Sequence, residues 1–156
     1  MKRFLDTFMI SVIFFAMVSS QNMKSESHVY FFWDHKMGWE QIPIEINGEY
    51  SFSIIPELSN ETAGIKIYNK AVRKVTFPTE GRYVVSITNT WFSKPYHAEI
   101  ILNLEDGETY YVVLDCTITN PFFFKELNKK DGEKLFQKAS KNSKKYTFNP
   151  DYTYEK

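Results

Sequence analysis

Three histidines and one cysteine in 156 residues limit what chemistry this chain can perform. Nucleophilic catalysis needs a Cys or Ser beside a His, with a further group to orient the imidazole. Cys116 lies within the run Thr-Tyr-Tyr-Val-Val-Leu-Asp-Cys-Thr-Ile-Thr, where it alternates with inward residues. A buried structural thiol is the favoured reading, because reactive thiols occupy exposed electropositive settings. No Gly-x-Ser-x-Gly occurs. His28, His35 and His97 are far apart, and neither His-x-x-x-His nor Cys-x-x-Cys is present, so no metal site is expected. Asp34-His35 could supply half of one, but a solvated loop pair outweighs it. Glu105-Asp106 answers to turn chemistry, and no Gly-rich loop cradles phosphate. The expectation is a non-catalytic protein without a cofactor.

Large rings are the stronger candidates. Residues 89–97 read as a loop holding Trp91, Phe92 and Tyr96, with Pro95 and His97. If the fold brings Trp39 from the earlier loop to the same end, this set could stack on sugar rings or grip a peptide. Rigid amphipathic rings suit such surfaces. Trp39, Trp91, Phe92, Tyr96 and His97 are therefore the candidate ligand-binding residues. Against them stands the commoner use of rings, capping a core. Asn60-Glu61-Thr62 fits a glycosylation acceptor by pattern alone and is discounted.

The elements that must hold these residues read as strands. Residues 98–104 and 109–119 flank Glu105-Asp106-Gly107-Glu108, and Asp-Gly supplies the positive φ of a tight turn, so the stretch predicts an antiparallel hairpin. Ile101 and Val113 would be buried by a sheet closing over it. In residues 27–33, Val29, Phe31 and Trp33 share one face and His28, Tyr30 and Phe32 the other, predicting a strand covered on one side and partly on the other. Ile42, Ile44 and Ile46 alternate into Asn47-Gly48, and Tyr50, Phe52 and Ile54 return: a second hairpin. Pro43 removes a ladder donor, so its strand should lie at an edge or carry a bulge. Residues 65–69, 72–77, 82–88 and 122–127 predict further strands, with a turn at Pro78-Thr-Glu-Gly81. Residues 131–139 predict a short helix behind Asp131. Residues 140–156 are polar and Lys-rich, and read as a loose tail.

Composition agrees with this pattern. Apolar residues make up 43% and aromatics 17%, and aromatic and β-branched residues favour pleated, half-buried surfaces. Met1-Lys2-Arg3, an apolar run over residues 8–18 and Val18-Ser19-Ser20 before Gln21 have the layout of a secretory signal peptide. Asp6 departs from it, and a buried N-terminal helix or an uncleaved anchor are the alternatives. The run is short for a membrane span, which needs about 20 apolar residues. Without Lys2, Arg3 and Asp6, the 19 basic and 19 acidic side chains lose two and one, and remain near balance. Near-neutrality gives no electrostatic reason to expect nucleic acid or an anionic membrane surface. One cysteine cannot form an intramolecular disulfide, so the exported domain must rest on its core.

The order of these signals resembles a family of small exported bacterial proteins, domain of unknown function 2846. The likeness lies in Ser27-His-Val-Tyr-Phe31, in the hairpin from Ile44 to Gly48, in the turn Pro78 to Tyr83, and in the stretch Leu104 to Val112. It would cover residues 27–137, with Pro78-Thr-Glu-Gly81 spaced wider than the family's Pro-Gly. The resemblance implies an exported β-sandwich similar to transthyretin-like and carbohydrate-surface modules, and it transfers no site residues.

The expectation is an all-β chain: an Ig-like or transthyretin-like antiparallel β-sandwich over residues 27–139 with a short C-terminal helix, a signal peptide at 1–20 and a polar tail at 140–156. It would be a periplasmic or extracellular binding or envelope-associated module whose partner is an envelope protein or a glycan, with no transmembrane span once residues 1–20 are removed. A small hydrolase built around His35 or His97, and a structural subunit pairing through a strand edge, are the alternatives.

Overall fold

Alternation in the first strand sets up the architecture. In a computed structural model, which describes residues 25–33, 42–54, 70–91, 94–116 and 122–155, this segment is β1 (Ser27–Trp33). Val29, Phe31 and Trp33 enter the main core, and Phe32 enters a second cluster on the opposite face. Both faces of β1 therefore need cover, and it takes an interior position. It runs antiparallel to β4 (Lys70–Phe77) and parallel to β7 (Thr109–Asp115). β8 (Phe123–Leu127) closes one side beyond β7. The remaining edge is lined by β9 (Tyr146–Phe148) and β10 (Tyr152–Thr153), both parallel to β4.

A four-stranded sheet faces this six-stranded one, in the order β3-β2-β5-β6. Its members are β2 (Pro43–Ile46), β3 (Glu49–Ser53), β5 (Gly81–Trp91) and β6 (Lys94–Leu104). Ile42, Ile44, Ile46, Phe52, Val85, Ile87 and Leu102 meet Val29, Phe31, Val75 and Val112 between the sheets. The chain is thus an all-β sandwich with a C-terminal helix, as expected, although β1–β7 and the β4 edge are parallel pairs.

Asn47 (φ 52°) and Gly48 (φ 82°) turn the β2–β3 hairpin as their types require. Of the two outcomes expected at Pro43, the structure takes the irregularity: β2 is an inner strand, and its register with β3 shifts between Ile44 and Glu45. Pro43 also lies beyond the pairing of β2 with β5, which covers Glu45 and Ile46.

Other expectations are corrected. The turn around Asp106-Gly107 does not close a hairpin: β6 belongs to the four-stranded sheet and β7 to the six-stranded one. Gly107 has φ 76°, and its N–H donates to the Ser25 carbonyl at 3.1 Å, so the turn docks beside the start of β1. Asp-Gly specifies a tight reversal, whereas β7, with Tyr111, Val112 and Leu114 all buried, needs a place covered on both faces. Ile101 remains 43% exposed while Leu102 and Leu104 are buried. Residues 89–91 and 94–97 are strand, not loop: β5 and β6 pair from Gly81↔Leu104 to Trp91↔Lys94.

The C-terminal helix, α1 (Lys129–Ser140), starts two residues before Asp131 because Asn128 caps it. The Asn128 Oδ1 accepts the Asp131 N–H at 3.0 Å, and its amide donates back to Asp131 Oδ2 at 2.8 Å. Gly132, Leu135, Phe136 and Ala139 recur at helical spacing and cover Tyr30, Phe32 and Tyr111. The helix is thus a third layer over the outer face of the six-stranded sheet.

Nor is the segment after Ser140 a loose tail. Tyr146, Asn149 and Tyr154 are buried, and the two short strands satisfy the outer edge of β4. The strand expected at 65–69 and the signal peptide at 1–20 lie outside the described residues. No helix among the described residues is long and apolar enough to cross a membrane.

Candidate functional site

A loop could gather Tyr96 and His97 to one surface, but a strand cannot, because neighbouring side chains point to opposite faces. On β6, Tyr96 turns inward. Its ring lies 5.9 Å from that of Phe122, and its hydroxyl donates to the Phe122 carbonyl. It caps the core, the alternative weighed above. His97 turns outward with its side chain 55% exposed; Nδ1 is 3.3 Å from Thr88 Oγ1, and Nε2 is 3.4 Å from Glu99 Oε2. Trp39 and Phe92 lie outside the described residues, as does the Trp91 side chain, and so does His35. The structure therefore separates the two described members of the proposed ring cluster.

The row Thr88–His97–Glu99 combines a hydroxyl, an imidazole and a carboxylate. It lies on the outer face of the four-stranded sheet, with Glu99 also 55% exposed. Contacts of 3.3–3.4 Å there are weak, and nothing among the described residues excludes water from the row. Cys116 is 3% exposed, and burial, then the neighbouring Asp115, push its thiol upward, away from the thiolate. No cluster of three or more His, Cys, Asp or Glu able to hold a metal occurs among the described residues.

The backbone of β6 offers a different kind of site. Among the described residues, β6 is the terminal strand of its sheet. The Val84 N–H donates to Asn47 Oδ1 at 3.0 Å, and the Val84 carbonyl accepts the Asn47 N–H at 2.8 Å. Both backbone groups of Val84 thus point toward the β2 side, so its partner Ile101 stands in a non-hydrogen-bonded pair. By alternation, the N–H and C=O groups of His97, Glu99, Ile101 and Asn103 all point away from β5. Their side chains are exposed, while Tyr96, Ala98 and Ile100 are partly buried against the core. The result is a row of donors and acceptors about 20 Å long, one face wet and the other apolar.

Of this row, the sequence singled out His97 alone. The signal for the rest was the alternation of exposed His97, Glu99, Ile101 and Asn103 with inward Ala98, Ile100 and Leu102, and reading a loop through residue 97 cut it short.

Compared with family models, with curated proteins and with solved structures, the chain finds no match in any of the three.

Proposed function

We propose that this chain is an exported, non-catalytic binding module that engages its partner through the outer edge of the four-stranded sheet. The observation that carries the reading is the outward row of backbone groups at residues 97–103 on an eleven-residue strand that is terminal among the described residues. Such an edge recruits another strand by main-chain hydrogen bonds, with alternate side chains supplying selectivity. Natural sheets blunt their edges by keeping them short or by placing charges and Pro there. In β6, Pro95 stands at one end, and Glu99 is the one carboxylate between His97 and Asn103. Export is supported by the basic, apolar and small-residue layout of residues 1–20, and by the resemblance to small exported bacterial β-sandwich proteins. An envelope polypeptide suits an edge of this kind better than a glycan, because a glycan cannot complete a strand ladder.

A photo-crosslinking amino acid at Asn103, compared with one at exposed Lys138 on α1, tests the proposal in cells exporting the full chain. Covalent adducts at 103 and not at 138 are expected. Equal labelling at both positions, or none at 103, would refute edge binding. The Thr88–His97–Glu99 row favours a second reading, a small hydrolase. His97→Ala abolishing a hydrolytic activity of the purified chain would establish it over the first.

A further inference from the structure

An edge that can accept a strand has one candidate partner always at hand, the same edge of another copy. We infer that β6 pairs antiparallel with β6 of a second copy of this chain, about a two-fold axis through Ile100. This rests on the edge-binding reading and names its occupant.

Outward backbone groups occur at residues 97, 99, 101 and 103, and only a few registers let them meet one another. With the axis at Ile100, His97 faces Asn103 of the other copy and Glu99 faces Ile101, and the two-fold repeats both pairs. All four outward residues are then used, and since each facing pair exchanges two bonds, about eight hydrogen bonds form. An axis at Glu99 would set two carboxylates directly opposite, which is destabilising. An axis at Ala98 would bring Pro95, which has no N–H, opposite Ile101. An axis at Ile101 leaves His97 without a partner from the row. Ile100 is thus the centre that satisfies both the backbone and the charges.

The side chains agree. Ala98 and Ile100 are only partly buried, although they point toward the core. In the paired form, Ile100 meets Ile100 across the axis, and Ala98 meets Leu102. The apolar layer then continues from one sandwich into the next, and the two four-stranded sheets become one. Such a closed, isologous contact uses up the edge that would otherwise recruit further chains.

The register makes the inference testable. Residues facing each other across a non-hydrogen-bonded pair have Cα atoms about 4.5 Å apart, within disulfide range. Ile100→Cys, in the full chain carrying Cys116→Ala, should therefore oxidise to a linked dimer under mild conditions. Asn103→Cys in the same background should link at least about tenfold less, because its symmetry mate would lie six residues along, about 20 Å away. Sedimentation of the unmodified chain should show a concentration-dependent dimer. Ile101→Pro, which deletes an outward donor at the edge, should shift it to monomer with an unchanged circular dichroism spectrum. A chain that stays monomeric at the highest soluble concentration would overturn the inference, and so would the Asn103→Cys variant linking as readily as the Ile100→Cys variant. The crosslinker at Asn103 separates the two readings. An adduct of twice the chain mass supports self-pairing. An adduct of another mass, with no dimer, keeps edge binding and rejects the second copy. No adduct at 103 rejects both.

Discussion

Gly132 shows how one residue sets the distance between two layers. A Cβ built there would lie 2.2 Å from Cγ and Cδ2 of Tyr111 and 2.5 Å from its Cβ. Those atoms belong to the root of a side chain fixed in β7, so it is the helix that would have to lift. Helix propensity favours Ala over Gly by about 1 kcal/mol, but overpacking a closed contact costs about 1–3 kcal/mol, and the clash here is severe. Gly132→Ala should therefore lower stability, measured by urea midpoint, whereas the exposed Lys134→Ala should leave it nearly unchanged. His28 makes a prediction in pH. Its Nδ1 is 3.2 Å from Thr76 Oγ1, and burial, then the Lys74 ammonium, hold its pKa below the ordinary 6.5 against the opposing pull of Glu26 and Asp151. As pH falls through 6.5, the unfolded chain takes up this proton before the folded one. Stability should then decline from about pH 6.5 down to the folded-state pKa and level off below it. His28→Gln should flatten that part of a Tm-against-pH curve; an unchanged slope would show that another group is responsible.

At the scale of elements, the C-terminal strands join parts of the fold that share no hairpin. The Asn149 N–H donates to the Val72 carbonyl at 2.8 Å, and its side-chain amide donates to the Ile54 carbonyl at 2.6 Å, at the end of the β2–β3 hairpin. Tyr154 lies 5.7 Å from both Phe77 and Tyr83, and its hydroxyl accepts from Asn47 Nδ2 at 3.3 Å. One ring thus bridges the two sheets. Tyr154→Ala should cost about 3 kcal/mol, the lower end of the range for deleting a buried aromatic, read as a fall in denaturant midpoint. Tyr154→Phe should cost much less, because it loses only a long hydrogen bond. None of this is legible in a stretch that is Lys-rich on average, because a buried residue every few positions leaves no periodic signal. Alternation does reveal β1, the β2–β3 hairpin and most of β5, where one face is apolar throughout. It fails at residues 89–91 and 94–97 because Pro, His and clustered rings look like a loop. Nor can it say which strands pair across Asp106-Gly107, a choice made by burial of β7 on both faces. Asn128, three residues before Asp131, does carry the true start of α1, in the reciprocal pattern of a capped helix.

For the whole molecule, the two termini carry opposite expectations. If residues 1–20 are a leader, their removal should leave the folded domain and its Tm as they were, and N-terminal sequencing of exported chain should begin at Gln21. Removing residues 141–156 should do the reverse. It would take away the buried side chains of Tyr146, Asn149 and Tyr154, each aromatic worth about 3 kcal/mol. It would also bare the backbone of β4 at Lys70–Val72 and Val75–Thr76, which now pairs with β9 and β10. The combined loss is comparable to the total of about 5–15 kcal/mol that holds a domain folded. Circular dichroism of the shortened chain should therefore show no cooperative melting, and a newly opened β4 edge should drive aggregation. A chain ending at Ser140 that still melted sharply, near the temperature of the full protein, would mean that the sandwich and helix suffice. The last strands would then be a lining on the fold rather than a tie between its sheets.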